Sequence, residues 1–197
     1  MNLQHQDITA VILAGGQGRR LGGQDKGLIK FNGRPIIEIL IEQLEKQSLD
    51  ILINANRNQA IYQQYGYPVV SDRLENFQGP LAGFATAMSA LDSRFILTLP
   101  CDGPRLAVDY VDRFIESQSR QASDICVAHD GDRLQPVHAL IATDLLPSLT
   151  GFLESGDRKI DRWYGQHDFQ TVDFSDQREM FRNINTESDQ QALQADT

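Results

Sequence analysis

The sequence predicts a single α/β domain whose mostly parallel sheet carries helices on both faces. Short apolar runs alternate with segments of helical periodicity through the first half of the chain, which is the order that right-handed strand–helix–strand crossovers produce. The run over residues 95–99 has no charged residue, as expected of a strand at the buried centre of a parallel sheet. With 197 residues, the chain is long enough to bury one substantial core and short for two independent domains.

The elements of the first half have local signals. Pro35 and Pro80 each precede apolar residues at helical spacing, and proline suits a first turn because its missing N–H costs nothing there. Asn32 and Gly33 are typical of a tight turn. These signals predict strands over 8–13, 51–54, 69–70 and 95–99, helices over 35–47, 59–65 and 79–91, a short excursion over 28–33, and a loop over 73–78.

The second half is predicted to add one antiparallel strand. Asp130 and Gly131 form a hairpin-type turn between two apolar runs, so the second run returns beside the first. Thr186 precedes Asp189 by three residues, the spacing of a capped helix start. The remaining signals predict helices over 109–118 and 145–155, strands over 125–128, 137–141 and 169–174, and a last helix that begins near residue 186.

The glycine-rich loop after the first strand is predicted to bind phosphate groups. Residues 13–26 read LAGGQGRRLGGQDK and contain five glycines and three basic residues. Glycines bring backbone N–H groups close to a ligand, and Arg and Lys supply positive charge. A P-loop is excluded because Asp25 and Gly27 flank Lys26. A dinucleotide fingerprint is disfavoured because Leu21 replaces the third glycine and the second strand ends in Asn54 rather than an acid.

The charge distribution favours a small polyanionic ligand. The chain carries a formal net charge of −9, which argues against nucleic acid as a partner. Residues 14–34 nevertheless contain five basic residues and one acidic residue, whereas the rest of the chain contains 13 basic and 26 acidic residues. A local cationic site on an acidic protein suits a triphosphate.

Polar residues that follow the predicted strands are the first candidates for ligand contacts, because ligands of open parallel sheets bind at the carboxyl ends of the strands. Asn54, Asp72 and Asp102 occupy such positions. Asp102 suits a Mg²⁺ ligand or the cap of the next helix, and the residues alone leave both roles open. Lys26 suits either a phosphate contact beside Arg19 or a solvated surface lysine.

Other reactive residue types have no catalytic spacing. The four histidines and the two cysteines, Cys101 and Cys126, form no metal or redox motif, so we expect structural roles for them. Trp163 and Tyr164 suit a core contact better than a ligand platform. The polar N-terminus and the absence of a long apolar run predict a cytoplasmic protein without a membrane segment.

Residues 13–26 resemble the signature of nucleotidyltransferases that activate phosphorylated molecules with a nucleoside triphosphate. Within that group, nearly the whole chain is similar to the molybdenum cofactor guanylyltransferase (MobA) family. The segments that carry the resemblance are FNGRP (31–35), NANR (54–57), GPLAG (79–83), PCD (100–102), QPVHAL (135–140) and FRNINT (181–186).

The resemblance implies a nucleotide-diphospho-sugar transferase-like fold and a set of site residues. The implied GTP contacts are Leu13, Ala14, Gly15, Lys26, Asn54, Asp72 and Asp102. Asp102 is also the implied Mg²⁺ ligand, and Lys26, Asp102 and Arg19 are the expected catalytic residues. Arg158, Asn183 and Asn185 are the expected molybdopterin contacts, so the N-terminal half would bind GTP and the C-terminal half molybdopterin.

The activity implied is transfer of GMP from GTP to molybdenum-loaded molybdopterin. We expect a monomer, with cofactor-insertion proteins or apo-molybdoenzymes as candidate partners. The alternatives are a CTP-using molybdopterin cytidylyltransferase, a sugar-phosphate nucleotidyltransferase, or a non-catalytic module that binds and delivers the cofactor. Base choice does not follow from the physical chemistry of these residues.

Overall fold

A seven-stranded sheet forms the centre of the molecule. The computed structural model describes residues 3–14, 16, 23–72 and 79–195. Its strands are β1 (Ile8–Leu13), β2 (Lys30–Phe31), β3 (Arg34–Pro35), β4 (Asp50–Asn54), β5 (Val69–Val70), β6 (Phe95–Pro100), β7 (Ile125–His129), β8 (Leu134–Ala142) and β9 (Phe169–Asp173). The sheet order is β5-β4-β1-β6-β8-β7-β9, and β2 and β3 pair in a separate hairpin.

The predicted antiparallel strand is β8. It pairs antiparallel with β6 and with β7, whereas β1 pairs parallel with both β4 and β6, and β9 pairs parallel with β7. In the parallel register, Leu13 lies opposite Asn54 on one side and Pro100 on the other. The carboxyl ends of β4, β1 and β6 are therefore aligned, and the residues that follow these strands lie at one edge of the sheet.

Helices cover both faces of the sheet, as predicted. They are α1 (Ile36–Glu45), α2 (Gln59–Tyr62), α3 (Pro80–Ala90), α4 (Tyr110–Gln121), α5 (Leu146–Glu154), α6 (Ile160–Tyr164) and α7 (Glu187–Ala195). Residues of α1 and α4 contribute to one core cluster and residues of α3, α5 and α6 to another, and alternate strand residues belong to one or the other. Among the described helices, none has the length and apolar character needed to span a membrane.

The elements missed by sequence analysis are short. Helix α6 has five residues and the 3-10 helix Ser175–Phe181 has a kink at Gln177, so neither is long enough to show a hydrophobic period. Helix α4 continues past the predicted residue 118 to Gln121, and the chain turns at Ala122, whose φ is 54°. The loop predicted over residues 73–78 lies outside the described residues.

An aromatic cluster around His138 packs beneath the C-terminal segment. The Phe181 ring meets the His138 ring edge-on at 5.0 Å, and the Tyr110 hydroxyl lies 3.1 Å from His138 Nδ1. Burial lowers the pKa of His138 to about 3, so the imidazole is neutral in the folded protein at neutral pH. This cluster supports the chain just before residues 183–185.

We expect the neutral His138 to make folding stability pH-dependent. Unfolded histidine has a pKa of about 6.5, so between about pH 6.5 and 3 the unfolded chain binds a proton that the folded chain does not. Stability is therefore greatest above pH 6.5 and falls by up to about 1.4 kcal/mol per pH unit below it. Urea unfolding from pH 5.5 to 8, above the range in which the carboxylates titrate, should show this slope in the wild type and lose most of it in His138→Gln. The control His5→Gln, in which a more exposed histidine is replaced, should keep it, and an unchanged slope in His138→Gln would contradict the assignment.

Candidate functional site

The polar residues predicted from the strand ends lie along the carboxyl edge of the parallel strands. Asn54 is the last residue of β4, and Asp72 and Asp102 are each the second residue after the end of β5 and β6, respectively. Lys26 begins a 3-10 helix, Lys26–Leu28, just after the glycine-rich stretch. The structure therefore brings residues from four separate parts of the chain to the region where parallel sheets bind ligands.

Lys26, Asp102 and Asn185 form one hydrogen-bonded cluster. The Lys26 ammonium donates to Asp102 Oδ2 at 2.9 Å and to Asn185 Oδ1 at 2.5 Å. The side chains of Lys26 and Asp102 are 23% and 13% exposed, so the pair is largely shielded from water yet open to a ligand. Two of the predicted catalytic residues thus contact each other, and a predicted molybdopterin contact joins them.

Asp102 retains an acceptor that suits a cation. Its Oδ1 atom is buried and has no hydrogen-bond partner among the described residues, although an unpaired buried carboxylate oxygen is costly. The described residues contain no group of three or more His, Cys, Asp or Glu side chains able to hold a metal ion together. One carboxylate oxygen completed by substrate phosphates and water is the arrangement that Mg²⁺ accepts, so the residues present fit this ion.

The segment over residues 183–185, which reads Asn-Ile-Asn, is hydrogen-bonded to the backbone of Asp102. The Ile184 N–H donates to the Asp102 carbonyl oxygen at 2.7 Å, which fixes the segment against the end of β6. Asn183 Oδ1 lies 3.4 Å from the position that a Cβ on Gly103 would occupy. Thr186 Oγ1 accepts from the Asp189 N–H at 3.1 Å, which confirms the predicted cap of α7. Asn183 and Asn185 therefore lie near the end of β6, and their predicted contact with molybdopterin stays a prediction.

Asn54 and Asp72 form a second cluster at the same edge. Asn54 Nδ2 donates to Asp72 Oδ1 at 2.9 Å. Asn56 makes two further contacts with Asp72, because its Nδ2 donates to Asp72 Oδ2 at 2.8 Å and its Oδ1 accepts from the Asp72 N–H at 2.8 Å. These bonds hold the Asp72 carboxylate in one orientation.

Leu13 and Ala14 lie where β1 meets this edge. The Ala14 N–H donates to the Asn54 carbonyl oxygen at 2.8 Å, and the Leu13 carbonyl oxygen accepts from the Cys101 N–H at 3.2 Å. A Cβ on Gly83 would sit 2.8 Å from both Asn54 Oδ1 and Leu13 Cδ2, so α3 packs tightly against the two strand ends. Leu13 and Ala14 are thus held between both clusters of the site.

Three predicted site residues are not joined to these clusters by described contacts. Gly15 and Arg19 lie outside the described residues. Arg158 lies between α5 and α6, where its guanidinium donates to the carbonyl oxygens of Leu153 at 2.5 Å and Asp157 at 2.6 Å. Neither of these contacts links Arg158 to Lys26 or Asp102.

Trp163, Tyr164 and the two cysteines, which were assigned structural roles from the sequence, are buried. Trp163 and Tyr164 belong to the core, with exposed fractions of 0% and 1%. Cys101 and Cys126 are free and buried, and burial raises the pKa of the Cys101 thiol far above neutral pH. Cys101 therefore stays protonated next to Asp102 and supplies no nucleophile.

Comparison with known proteins identifies the family. The model of the MobA-like NTP transferase domain matches residues 10–172, which include most of β1, the glycine-rich loop, β4 and β6. The chain belongs to this family. A molybdenum cofactor guanylyltransferase of Shewanella sediminis is 46% identical over 98% of this chain and 97% of its own length. One of Shewanella sp. strain MR-4 is 47% identical over 100% and 98%, respectively.

A solved structure of this MobA-like group has the same fold. It is the molybdopterin-guanine dinucleotide biosynthesis protein A of Archaeoglobus fulgidus, which superposes with a TM-score of 0.80 over 95% of this chain and 97% of its own, at 20% identity. The predicted fold class, an α/β fold with a mostly parallel sheet and helices on both faces, is confirmed by this neighbour. The predicted family is confirmed as well.

Several residues of the MobA-like site were not predicted from the sequence. Asn56 and Arg57 lie in the NANR segment that carries the family resemblance. The sequence therefore marked their motif, but it did not predict the hydrogen bonds that they make with Asp72 and with residues 23–24. Asp25 is buried, with 7% exposure, and accepts a hydrogen bond from Tyr62 in α2. No sequence signal marked Tyr62, because 37 residues separate it from Asp25.

Proposed function

We propose that this chain is a molybdenum cofactor guanylyltransferase, which transfers GMP from GTP to molybdenum-loaded molybdopterin and releases pyrophosphate. The observation that carries the proposal is the cluster of Lys26, Asp102 and Asn185 at the carboxyl edge of the sheet. A shielded ammonium beside a carboxylate with a free oxygen suits a triphosphate and its cation. The names of relatives that are nearly half identical over the full length support the choice of base and acceptor.

The reaction needs positioning and charge neutralisation rather than a protein nucleophile. A terminal phosphate oxygen of molybdopterin attacks the α-phosphorus of GTP, a P–O bond forms there, and the bond from the α-phosphorus to the bridging oxygen breaks. The electron pair and that oxygen leave with pyrophosphate. Lys26, assisted by Arg19, pairs with phosphate oxygens and stabilises the charge that the leaving group gains. The incoming phosphate is already ionised, so no histidine or cysteine base is required.

Asp102 is the proposed ligand of Mg²⁺. The ion would supply Lewis-acid neutralisation of the phosphate oxygens. The chain's own part is to hold the Oδ1 oxygen of Asp102 free while Oδ2 accepts from Lys26. Lys26 and the ion would thus contact different oxygens of one carboxylate.

The two halves of the chain are proposed to bind different substrates. Leu13, Ala14, Gly15, Lys26, Asn54 and Asp72 would contact GTP, and Arg158, Asn183 and Asn185 would contact molybdopterin. The Lys26–Asn185 hydrogen bond supports this division, because it lies where the two groups of residues meet. A monomeric state, a cytoplasmic location and transfer of the product to cofactor-insertion proteins or apo-molybdoenzymes remain predictions.

Pyrophosphate release tests the reaction directly. Purified protein with GTP, Mg²⁺ and molybdenum-loaded molybdopterin should release one pyrophosphate per dinucleotide formed. Each component should be required, because GTP is the donor, the molybdopterin phosphate is the nucleophile and Mg²⁺ would neutralise the phosphate charge. Binding of GTP and cofactor without pyrophosphate release would instead favour the non-catalytic delivery module.

Base preference is tested by thermal shift. We expect GTP with Mg²⁺ at about 100 times its dissociation constant to raise the melting temperature by roughly 5–10 °C, since such occupancy adds about 2.7 kcal/mol to the stability of a protein of this size. CTP, ATP and UTP should give smaller shifts. A shift with CTP alone would favour the cytidylyltransferase alternative, and no shift with any nucleotide would contradict a preformed triphosphate site.

A further inference from the structure

We propose that Tyr62 and Asp25 form an anchor that sets the position of Lys26, which makes Tyr62 a positioning residue for nucleotidyl transfer. The inference rests on the proposed function for its kinetic consequence, whereas its structural consequence stands alone. Contacts join helix α2 and the residues just before it to residues 23–25.

The core of the anchor is a buried hydrogen bond. The Tyr62 hydroxyl donates to Asp25 Oδ1 at 2.5 Å, and the Tyr62 side chain is 0% exposed. Burial raises the pKa of the Tyr62 hydroxyl far above neutral pH, so this group keeps its proton and remains a donor. A buried donor held against a carboxylate is among the stronger hydrogen bonds in a protein.

Two neighbours of Tyr62 complete the anchor. Asn58 Nδ2 donates to the other carboxylate oxygen of Asp25 at 3.0 Å. The Arg57 guanidinium donates to the carbonyl oxygens of Gly23 and Gln24, each at 2.7 Å. Its Nε lies 3.6 Å from Asp25 Oδ2, within ion-pair distance although too long for a hydrogen bond. Residues 23–25 are thus fixed to the segment that follows β4.

The anchor acts on Lys26 because the two residues are consecutive. Asp25 is the residue immediately before the 3-10 helix Lys26–Leu28, so fixing its side chain fixes where that helix starts. Lys26 then reaches Asp102 and Asn185 from this fixed start. Both oxygens of Asp25 accept hydrogen bonds within the anchor and its side chain is only 3% exposed, so we assign this carboxylate a structural role.

Gly27 shows how closely the 3-10 helix Lys26–Leu28 packs against Tyr62. A Cβ on Gly27 would lie 2.6 Å from the Tyr62 hydroxyl oxygen, which is closer than van der Waals contact allows. Its next contacts, Cys101 Cβ at 3.4 Å and Sγ at 3.5 Å, are ordinary. The Tyr62 hydroxyl is therefore the atom that excludes a side chain at position 27, and an alanine there would displace the residue next to Lys26.

A double-mutant cycle of Tyr62→Phe and Gly27→Ala tests the anchor, with pyrophosphate release measured well below the melting temperature of every variant. We expect Tyr62→Phe to lower kcat by about tenfold and Gly27→Ala by up to about 100-fold, since a displacement of about 1 Å at a catalytic group costs that much. The KM for GTP should change less than kcat. The double variant should return to the kcat of Tyr62→Phe, because phenylalanine lacks the atom that clashes with the new methyl group.

Two controls separate positioning from simple destabilisation. Tyr67→Phe removes another hydroxyl that donates to a carboxylate, that of Glu45, at an exposed position. Ile125→Ala removes a fully buried side chain at the amino end of β7, away from the carboxyl edge. Both should keep the wild-type kcat, although Ile125→Ala should lower the melting temperature. The proposal is overturned if Tyr62→Phe or Gly27→Ala keeps the wild-type kcat, or if their losses multiply in the double variant.

Crystal structures of the same variants separate this proposal from the proposed function. The distance between Lys26 Nζ and Asp102 Oδ2 is 2.9 Å here and needs no turnover to be measured. It should lengthen in Gly27→Ala and be restored in the double variant. An unchanged distance in Gly27→Ala overturns the anchor even in an active enzyme, whereas the expected changes in a protein that releases no pyrophosphate would leave the anchor standing and refute only the transferase reaction.

Discussion

Replacement of Asp102 by alanine should abolish nearly all turnover while the protein remains folded. We expect kcat to fall on the order of 1,000-fold, because the variant loses the proposed metal ligand and with it the neutralisation of the phosphates. The measurement is pyrophosphate release with GTP, Mg²⁺ and molybdenum-loaded molybdopterin. The GTP-induced rise in melting temperature should also lose its dependence on Mg²⁺.

The stability of the Asp102→Ala protein should change little. The Lys26–Asp102 pair, although largely shielded, retains some access to water, so water can solvate the Lys26 ammonium once the carboxylate is removed. Removal of the carboxylate also removes a buried oxygen without a partner among the described residues. Lys26 keeps its contact with Asn185. We therefore expect urea unfolding to give a free energy within about 1 kcal/mol of the wild type.

The matched control is Asp132→Ala, which removes an exposed carboxylate from the turn between β7 and β8. Its turnover and its nucleotide-induced thermal shift should equal those of the wild type. Wild-type turnover in Asp102→Ala would refute the assignment of this residue. A similar loss in both variants would show that the effect is one of overall charge.

Replacement of Lys26 by alanine is expected to have the second largest effect. We expect kcat to fall between about 100-fold and 1,000-fold, because an ammonium shielded from water stabilises developing phosphate charge far better than a solvated one. The KM for GTP should rise by a smaller factor. The leaving group gains its extra charge in the transition state, so Lys26 stabilises the transition state more than bound GTP. Steady-state kinetics of pyrophosphate release measure both quantities.

Two further variants define what Lys26 does. Lys26→Arg keeps the charge, but a planar guanidinium does not reproduce the point contact with both Asp102 and Asn185, so activity should be only partly restored. Lys30→Ala removes an exposed lysine of β2 and should behave as the wild type. Equal losses in Lys26→Ala and Lys30→Ala would argue for a general electrostatic effect and against a specific contact.

The parts of the fold that the sequence predicted are those with long or uninterrupted patterns. The apolar residues of β1 and β6 and the periodic residues of α1 place these elements within one or two residues of their observed ends. The rule that ligands bind at the carboxyl ends of parallel strands then located Asn54 and Asp102. These predictions depend on local sequence and on one general property of the fold.

The contacts within the site depend on distant residues and could not be predicted in the same way. Lys26 and Asn185 are 159 residues apart, and only the resemblance to a family placed both near the ligands. Tyr62 lies in a helix of four residues, and its hydroxyl meets Asp25 only because α2 packs beside the glycine-rich stretch. Such pairings follow from tertiary packing, which has no local period or motif.

The hydrogen bond between Lys26 and Asn185 has a consequence for biosynthesis of the chain. The last strand of the sheet ends at Asp173, twelve positions before Asn185 supplies its oxygen to Lys26. On the ribosome, the sheet residues are therefore all made before the cluster can close. A chain that has been translated only as far as its last strand lacks Asn185, so the three-residue cluster of Lys26, Asp102 and Asn185 can close only after that later segment has been made.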